Sequence, residues 1–171
     1  MVTVKRLDAE EVRSSLDELG GILLDCVEGG ASVNFMLPYT LADGCRFFEN
    51  LVPSIAAGER ILLAAYLDGR MVGTVQAVLK MPPNQPHRGE IAKMLVHRLA
   101  RRQGIAAMLM QAIEAEAHGA GKTLLVLDTV TGQPAERLYE RLGWQRVGVV
   151  PGFALFPDGR PCDTTYFWKS I

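Results

Sequence analysis

Apolar and polar residues alternate from Val2 to Leu7, the period of a half-buried strand. Asp8 then offers a side-chain cap, and Glu10 and Glu11 follow where the first turn of a helix favours acids. Val12, Leu16, Leu19, Leu23 and Val27 recur at steps of three and four, which predicts a helix to about Val27. Gly20-Gly21 is a weak point within it, and Gly29-Gly30 ends it. Ala31–Pro38 is a loop of unusual content, Ser32-Val33-Asn34-Phe35-Met36. A second helical region covers Tyr39–Ala57, with Leu41, Phe47 or Phe48, Leu51 and Ile55 on one side. Pro53 should kink or split it, because proline lacks the N–H a helix interior needs, and Gly58 stops it.

Ile61–Leu67 is almost continuously apolar, as a buried strand is, and Asp68-Gly69 is a hairpin turn into a returning strand, Met71–Leu79. A proline-rich loop, Pro82–Pro86, leads to a strand over Glu90–Val96. A glycine turn follows, then a helix from about Gln103 to His118 that Gly119–Gly121 ends. Leu124–Asp128 is a short buried strand. Pro134 stands where a helix can begin, and that helix runs to Leu142 with Gly143 as its stop. Trp144–Phe156 is a strand bent at Pro151-Gly152, Asp158-Gly159 is a second hairpin turn, and Thr164–Lys169 is the last strand. The predicted order is β α α β β β α β α β β. Hairpins in the middle demand antiparallel pairing, and the strand–helix–strand run from Glu90 to Asp128 demands a parallel pair with a right-handed crossover. The sheet is therefore mixed. Without repeats or linkers, residues 1–171 read as one α/β domain.

Composition narrows the function classes. The formal net charge is −1, so no global field draws the chain onto nucleic acid or a membrane surface. No apolar run nears the roughly 18–20 residues that span a bilayer, and the first residues, MVTVKRLDAEE, lack the apolar core of a signal peptide. Cys26, Cys45 and Cys162 have neither Cys-x-x-Cys spacing nor histidine neighbours, so we expect free thiols in a reducing, cytoplasmic setting and no metal site. His87, His97 and His118 do not cluster and are expected to be non-catalytic.

The most informative stretch is Glu90–Ala106, EIAKMLVHRLARRQGIA. An apolar strand, a basic turn with one glycine and an amphipathic helix present bare backbone N–H groups beside Arg101 and Arg102, a seat for a phosphate or pyrophosphate. The spacing is not that of a nucleoside-triphosphate loop, nor of the three-glycine dinucleotide turn. Taken alone, it suits an ordinary strand–helix connection with solvated arginines equally well.

Arg101, Gly104 and Ala106 fill a pattern Arg/Gln-x-x-Gly-x-Gly/Ala, and Ala135, Tyr139, Gly143 and Trp144 fill Ala-x-x-x-Tyr followed by a Gly-aromatic pair. Together they resemble the acetyl-CoA-binding signatures of the GNAT superfamily of N-acetyltransferases, and the resemblance covers nearly the whole chain. Gly29-Gly30-Ala31-Ser32-Val33-x-Phe35-Met36, Leu127-Asp128-Thr129 and Pro151-Gly152 resemble the tabtoxin resistance protein branch. One departure stands out: where many members carry an asparagine that contacts the pantetheine arm, this chain has Gly132.

The resemblance implies a mixed, mostly antiparallel sheet splayed between its fourth and fifth strands, with helices on both faces. It implies acetyl-CoA as cosubstrate, its arm alongside Met94, Leu95 and Val96 and its pyrophosphate on the main chain from Arg102 through Gln103, Gly104 and Ile105 to Ala106. Arg101 and Arg102 would add charge, and Gly132, Ala135 and Tyr139 would border the coenzyme. Tyr139 resembles the tyrosine that protonates the departing thiolate; a core tyrosine with a bonded hydroxyl is its ordinary alternative. Glu90 matches the place of a base acting directly or through water, and Asp128 suits an ammonium contact or proton relay. A solvated strand-end carboxylate and a loop cap are their alternatives. In the superfamily the loop holding Ser32, Asn34 and Phe35 borders the acceptor pocket, although Phe35 and Met36 equally suit core packing. The implied activity is direct transfer of an acetyl group to a primary amine of a small molecule, an amino-acid-like toxin or antibiotic among the choices. Acetylation of a protein or peptide, and a non-catalytic acyl-CoA-binding module, are the alternatives. The expected state is monomer or homodimer.

Overall fold

The computed structural model describes residues 1–171 as a seven-stranded sheet with helices on both faces. Strand β1 is Val2–Arg6, followed by α1 (Ala9–Ser14), α2 (Leu16–Glu28), α3 (Leu41–Glu49) and α4 (Val52–Ala56). Then come β2 (Arg60–Leu67), β3 (Arg70–Val78), β4 (Arg88–Val96), a 3-10 turn at Arg98–Ala100, and α5 (Ile105–Gly119). The chain ends with β5 (Leu124–Val130), α6 (Pro134–Arg141), β6 (Gln145–Leu155) and β7 (Pro161–Ser170). The strand order is β1-β2-β3-β4-β5-β7-β6, and only β4 and β5 pair in parallel, joined by α5.

Local chemistry explains most boundaries. Asp8 accepts from Glu11 N while the Glu11 side chain accepts from Asp8 N, a reciprocal cap that starts α1. Thr40 and Asp43 repeat the device at α3. Asp68 and Gly69 both take left-handed backbone (φ 49° and 81°), which matches the twist of the β2–β3 hairpin. Pro134 opens α6, as its missing N–H permits.

The helical layer departs from the expected pattern in two places. The first helix is not continuous to Val27; it breaks at Ser15, which ends α1 and begins α2. Gly20-Gly21 is not the weak point. Gly20 is a helix-crossing contact: a Cβ there would meet Cys45 N at 2.8 Å, and one on Gly44 would meet Gly20 O at 2.6 Å. The second helical region is split into two helices, one of the two outcomes expected of Pro53, which stands in the first turn of α4. The helix expected from Gln103 begins at Ile105, after the additional 3-10 turn.

Two apolar cores result. Ile61, Leu63, Val75, Ile91, Leu125, Leu127 and Phe167 pack with Ile105, Leu109 and Ile113 of α5 and with Tyr139 of α6. On the other face Leu62, Ala64 and Leu95 pack with Val12, Leu19, Leu23, Phe48 and Val52 of α1–α4. Cys26, Cys45 and Cys162 are free thiols, the first and last buried. No helix is long and apolar enough to cross a membrane.

Candidate active site

The parallel ladder between β4 and β5 is short. Arg88, Gly89 and Glu90 pair with Leu124, Leu125 and Val126, and there the pairing stops although both strands continue. The two strands part from Ile91 and Leu127 onward. A bulge on the β3 side re-aims β4: Thr74 pairs with Leu95 and Gln76 with Ala92, so β4 carries one extra residue. Lys93 absorbs it with a left-handed backbone, φ 50°. The result is a crevice in the middle of the sheet, lined by β4 main chain that β5 does not cover.

The basic turn lies at the end of this crevice. Gly104 caps α5 at φ 76°, and Arg102 is also left-handed at φ 63°. A helix leaves its first N–H groups without intrahelical acceptors, and Gly104 has no side chain to cap them. A Cβ on Gly104 would meet nothing within 4 Å, so the glycine serves backbone conformation and not internal packing. Asp25 anchors the turn from α2. Its carboxylate accepts from Arg98 N at 2.8 Å and from Arg98 Nε, and His97 Nε2 lies 3.5 Å away. Arg101 folds back, its Nε donating to Val96 O at 3.1 Å. Asp25, at 8% exposure, is the buried charge that fixes where the turn sits.

Strand alternation sorts the chemistry onto two sides of the opening. Leu125 and Leu127 face α5 and α6, where Tyr139 is buried with its ring 5.8 Å from Phe167 and 6.2 Å from Trp144. Burial, with a smaller contribution from the Asp128 charge, pushes the Tyr139 phenol far above its ordinary range. Val126 and Asp128 face the other side, as does Glu90, the parallel partner of Val126. Glu90 is exposed and pairs with Arg88 at 2.6 Å. Asp128 is open to water, yet desolvation on its sheet side raises its carboxyl pKa; Lys93 opposes the rise and Glu90 adds to it. Tyr166 stands opposite Asp128 on β7, and its phenol is raised by desolvation and by both carboxylates.

The predicted site residues therefore fall into three places. Met94, Leu95 and Val96 lie on β4 along the parting, and Arg101–Ala106 follow the 3-10 turn at its end. Gly132, Ala135 and Tyr139 stand across it; Gly132 N donates to Glu136 Oε2 at 2.7 Å, and Ala135 packs against the core that holds Tyr139. Glu90 and Asp128 lie on the face of the opening away from Tyr139, as does Phe35, over whose ring Lys93 Nζ sits at 5.8 Å. Ser32 is turned elsewhere. Its hydroxyl donates to Leu155 O at 2.7 Å and accepts from Cys162 Sγ, which ties the loop to β6 and β7. Asn34 is exposed with φ 80°, and Met36 is exposed while Phe35 packs.

Sequence reasoning missed Lys93, Arg60, Gln76, Asp25 and Tyr166. Lys93 carried a visible signal, a lone charge inside an apolar strand. Gln76 and Asp25 carried a weaker one, polar residues at positions that the strand and helix periods bury. No group of three or more His, Cys, Asp or Glu is placed to hold a metal.

The structure thus holds a parted sheet beside a helix N-terminus that is free of side-chain caps, with a buried phenol on one side of the gap and carboxylates on the other. The acetyltransferase (GNAT) family model matches residues 36–144, and the chain belongs to that family, whose acyl donor is acetyl-CoA. An uncharacterized N-acetyltransferase of Azospirillum brasilense, from the hisH-hisA intergenic region, is 30% identical over 129 residues, 74% of each chain. Among solved structures, the ribosomal-protein-alanine N-acetyltransferase of Brucella melitensis superposes at TM-score 0.81, with 22% identity and 99% of both chains covered. The yncA protein of Salmonella typhimurium, solved with its cofactor acetyl-CoA, superposes at TM-score 0.80, with 17% identity over 99% of this chain and 93% of its own.

Proposed function

We propose that this protein transfers the acetyl group of acetyl-CoA directly to a primary amine of a small molecule, with both substrates bound together. The observation that carries the reading is the β4–β5 parting next to the glycine-capped start of α5. The edge at Met94, Leu95 and Val96, which β5 does not cover, would pair with the amide groups of a pantetheine arm, as an added strand would, once Arg101 leaves Val96 O. The N–H groups from Arg102 to Ala106 suit the pyrophosphate, with Arg102 and a swung-out Arg101 adding charge. Gly132 and Ala135 have no bulk to obstruct the arm on the far side.

The chemistry follows from the two sides of the gap. The amine must lose a proton to attack, and Asp128 and Glu90 are the carboxylates near its path, acting directly or through water. The carbonyl oxygen gains charge as the tetrahedral intermediate forms, and a backbone N–H of the bulged strand is the donor at hand. Collapse breaks the C–S bond, and the thiolate takes the proton of Tyr139, a phenol that stays protonated at any working pH because its pKa is raised.

Four finer assignments belong to the same reading. The likeness of Gly29–Met36, Leu127–Thr129 and Pro151-Gly152 to the tabtoxin resistance branch supports an amino-acid-like toxin or antibiotic as acceptor. Protection against such a compound would be the role. We assign the enzyme to the cytoplasm, where acetyl-CoA is made, as a monomer or homodimer. The test is thiol release from acetyl-CoA across amines, amino acids, aminoglycosides and β-lactam amino acids, together with peptides bearing free N-terminal alanine. Those peptides are included because one fold neighbour is a ribosomal-protein-alanine N-acetyltransferase. Selective turnover of a small amine supports the proposal. Turnover of peptides alone would reassign the acceptor, and tight acetyl-CoA binding with no turnover would leave a coenzyme-binding module.

A further inference from the structure

The acceptor side of the crevice holds more positive charge than the acetyl-transfer chemistry uses. Lys93 is half-buried at the β4 bulge, its Nζ 5.8 Å from the centroid of Phe35 and 5.7 Å from that of Phe47. Neither Lys93 nor Arg60 has a carboxylate within 4.0 Å, whereas Lys80, Arg88 and Lys169 each do. Arg60 is held from behind, its Nη1 donating to Gln76 Oε1 at 2.7 Å. Arg60 Nε and Gln76 Nε2 are sealed from water and have no acceptor, although Gln76 is fully buried. Thr74 Oγ1, on the same face two residues away, and Tyr39 Oη are also unpartnered.

The imbalance has a sign. Lys93 Nζ, Arg60 Nε and Gln76 Nε2 are all donors, and what they lack is an acceptor. Buried donors without acceptors are costly, and two cations near one another are costlier still. The other titratable groups around Lys93 are Asp128 across the parting, with Glu90 and the neutral phenol of Tyr166 facing Asp128. Asp128 and Lys93 feel each other without touching. The crevice thus presents a cationic pole at Lys93 and Arg60 and an anionic pole at Asp128 and Glu90, with Phe35 meeting the Tyr39 ring tilted at 4.9 Å and the Phe47 ring edge-on at 5.3 Å as an apolar wall beside the cation.

We propose that the acceptor is a zwitterion of the amino-acid class, its oxyanion seated on Lys93 in the field of Arg60 and its amine directed to Asp128 and Glu90. This rests on the acetyl-transfer reading above and names its substrate class. Lys93 acts as a specificity residue: it orients the amine toward the thioester by holding the other end of the molecule, while the aromatic wall takes the side chain. An amine without the oxyanion would leave Lys93 without an acceptor and the two neighbouring cations uncompensated, which a site of low dielectric penalises strongly.

The experiment separates binding from turnover. N-acetyl-amino acids and their carboxamides are titrated by calorimetry into the CoA-loaded protein, wild type, Lys93→Met and Lys93→Arg. The carboxylate should bind at least about tenfold more tightly than the carboxamide in the wild type. Lys93→Arg should keep most of that preference, and Lys93→Met should bring the ratio below about twofold. Equal binding of the two probes, no carboxylate binding at all, or a preference that survives Lys93→Met would overturn the proposal. Thiol release with the matching free amines reads the reaction independently. Fastest turnover on amines that lack an oxyanion refutes the subsite and leaves acetyl transfer standing. A Lys93-dependent carboxylate preference without turnover of any amine upholds the subsite and refutes acetyl transfer.

Discussion

The Asp128 carboxyl illustrates how a reactive residue conflicts with stability. Its pKa in the folded chain is raised, with desolvation the largest cause. A raised folded value means that folding favours the protonated form. The associated stability is complete below the unfolded pKa, near 3.9, and is lost as pH rises through the folded value. At neutral pH, above the unfolded value, the carboxyl therefore opposes folding. Asp128→Asn should raise Tm at pH 7 by a small amount, below about 2 °C because water screens a partly exposed carboxylate. The gain should vanish near pH 3, while acetyl transfer drops. A lower Tm at neutral pH would show that Asp128 is a structural cap. Tyr139 works in the opposite sense. Its phenol is raised far above any assay pH, so its ionisation adds no alkaline fall between pH 6 and 9, and the rate should climb over that range as the acceptor amine deprotonates. Tyr139→Phe should lower kcat by about a hundredfold with acetyl-CoA affinity unchanged within roughly threefold. Wild-type turnover in that variant would remove the phenol from the reaction.

At the scale of elements, the sheet and most helices were legible and the break at Ser15 was not, for one physical reason. A strand's neighbours follow from turn chemistry and from the period of two, so the Asp68-Gly69 and Asp158-Gly159 hairpins and the strand–helix–strand crossover determined most of the topology. Helix breaks depend on local backbone turns that periodicity does not record, and Ser15, whose N–H closes α1 on Val12 O, sits between two helical periods that look like one. The glycines misled for a related reason. Gly20 lowers helix propensity in isolation, yet here it removes a side chain where α3 crosses, and Gly44 answers it from the other helix. Gly44→Ala should therefore push α3 off α2 and destabilise by about 1–3 kcal/mol, seen as a lower denaturation midpoint with unchanged m-value. An unshifted midpoint would mean the crossing is loose. The site was legible where motif and main chain coincide, at Arg101–Ala106 and Ala135–Tyr139. It was not legible at Lys93, whose importance comes from a bulge: one extra residue turns a strand-interior lysine toward rings contributed by α3 and the preceding loop. Nothing in the local sequence of β4 specifies that bulge.

Across the whole molecule, the sheet is nearly two sheets. Strands β1–β4 and β5–β7 share only the three residue pairs of the parallel ladder. Side chains fasten the halves on both faces: Glu114 of α5 accepts from Trp144 Nε1 at 2.8 Å and pairs with Lys169 of β7 at 2.6 Å. On the opposite face Ser32 and Leu37 N reach Leu155 O and Pro157 O in and just after β6. A coenzyme lying in the parting touches both halves, so its binding energy should appear as stability of the entire chain and not of one loop. A ligand at a hundred times its Kd adds about 2.7 kcal/mol. For a chain of this size that amounts to a Tm rise of roughly 5–10 °C in a single cooperative transition. Gly104→Val forces a branched side chain into left-handed backbone, which costs about 1–2 kcal/mol without ligand. It also crowds the N–H groups proposed to hold the pyrophosphate. That variant should melt lower and, at the same acetyl-CoA concentration, gain only a small part of the wild-type rise. If the two proteins gain equally, the pyrophosphate does not sit on the start of α5. If the wild type splits into two transitions on adding acetyl-CoA, the ligand grips one half of the sheet alone and the crevice is not where it binds.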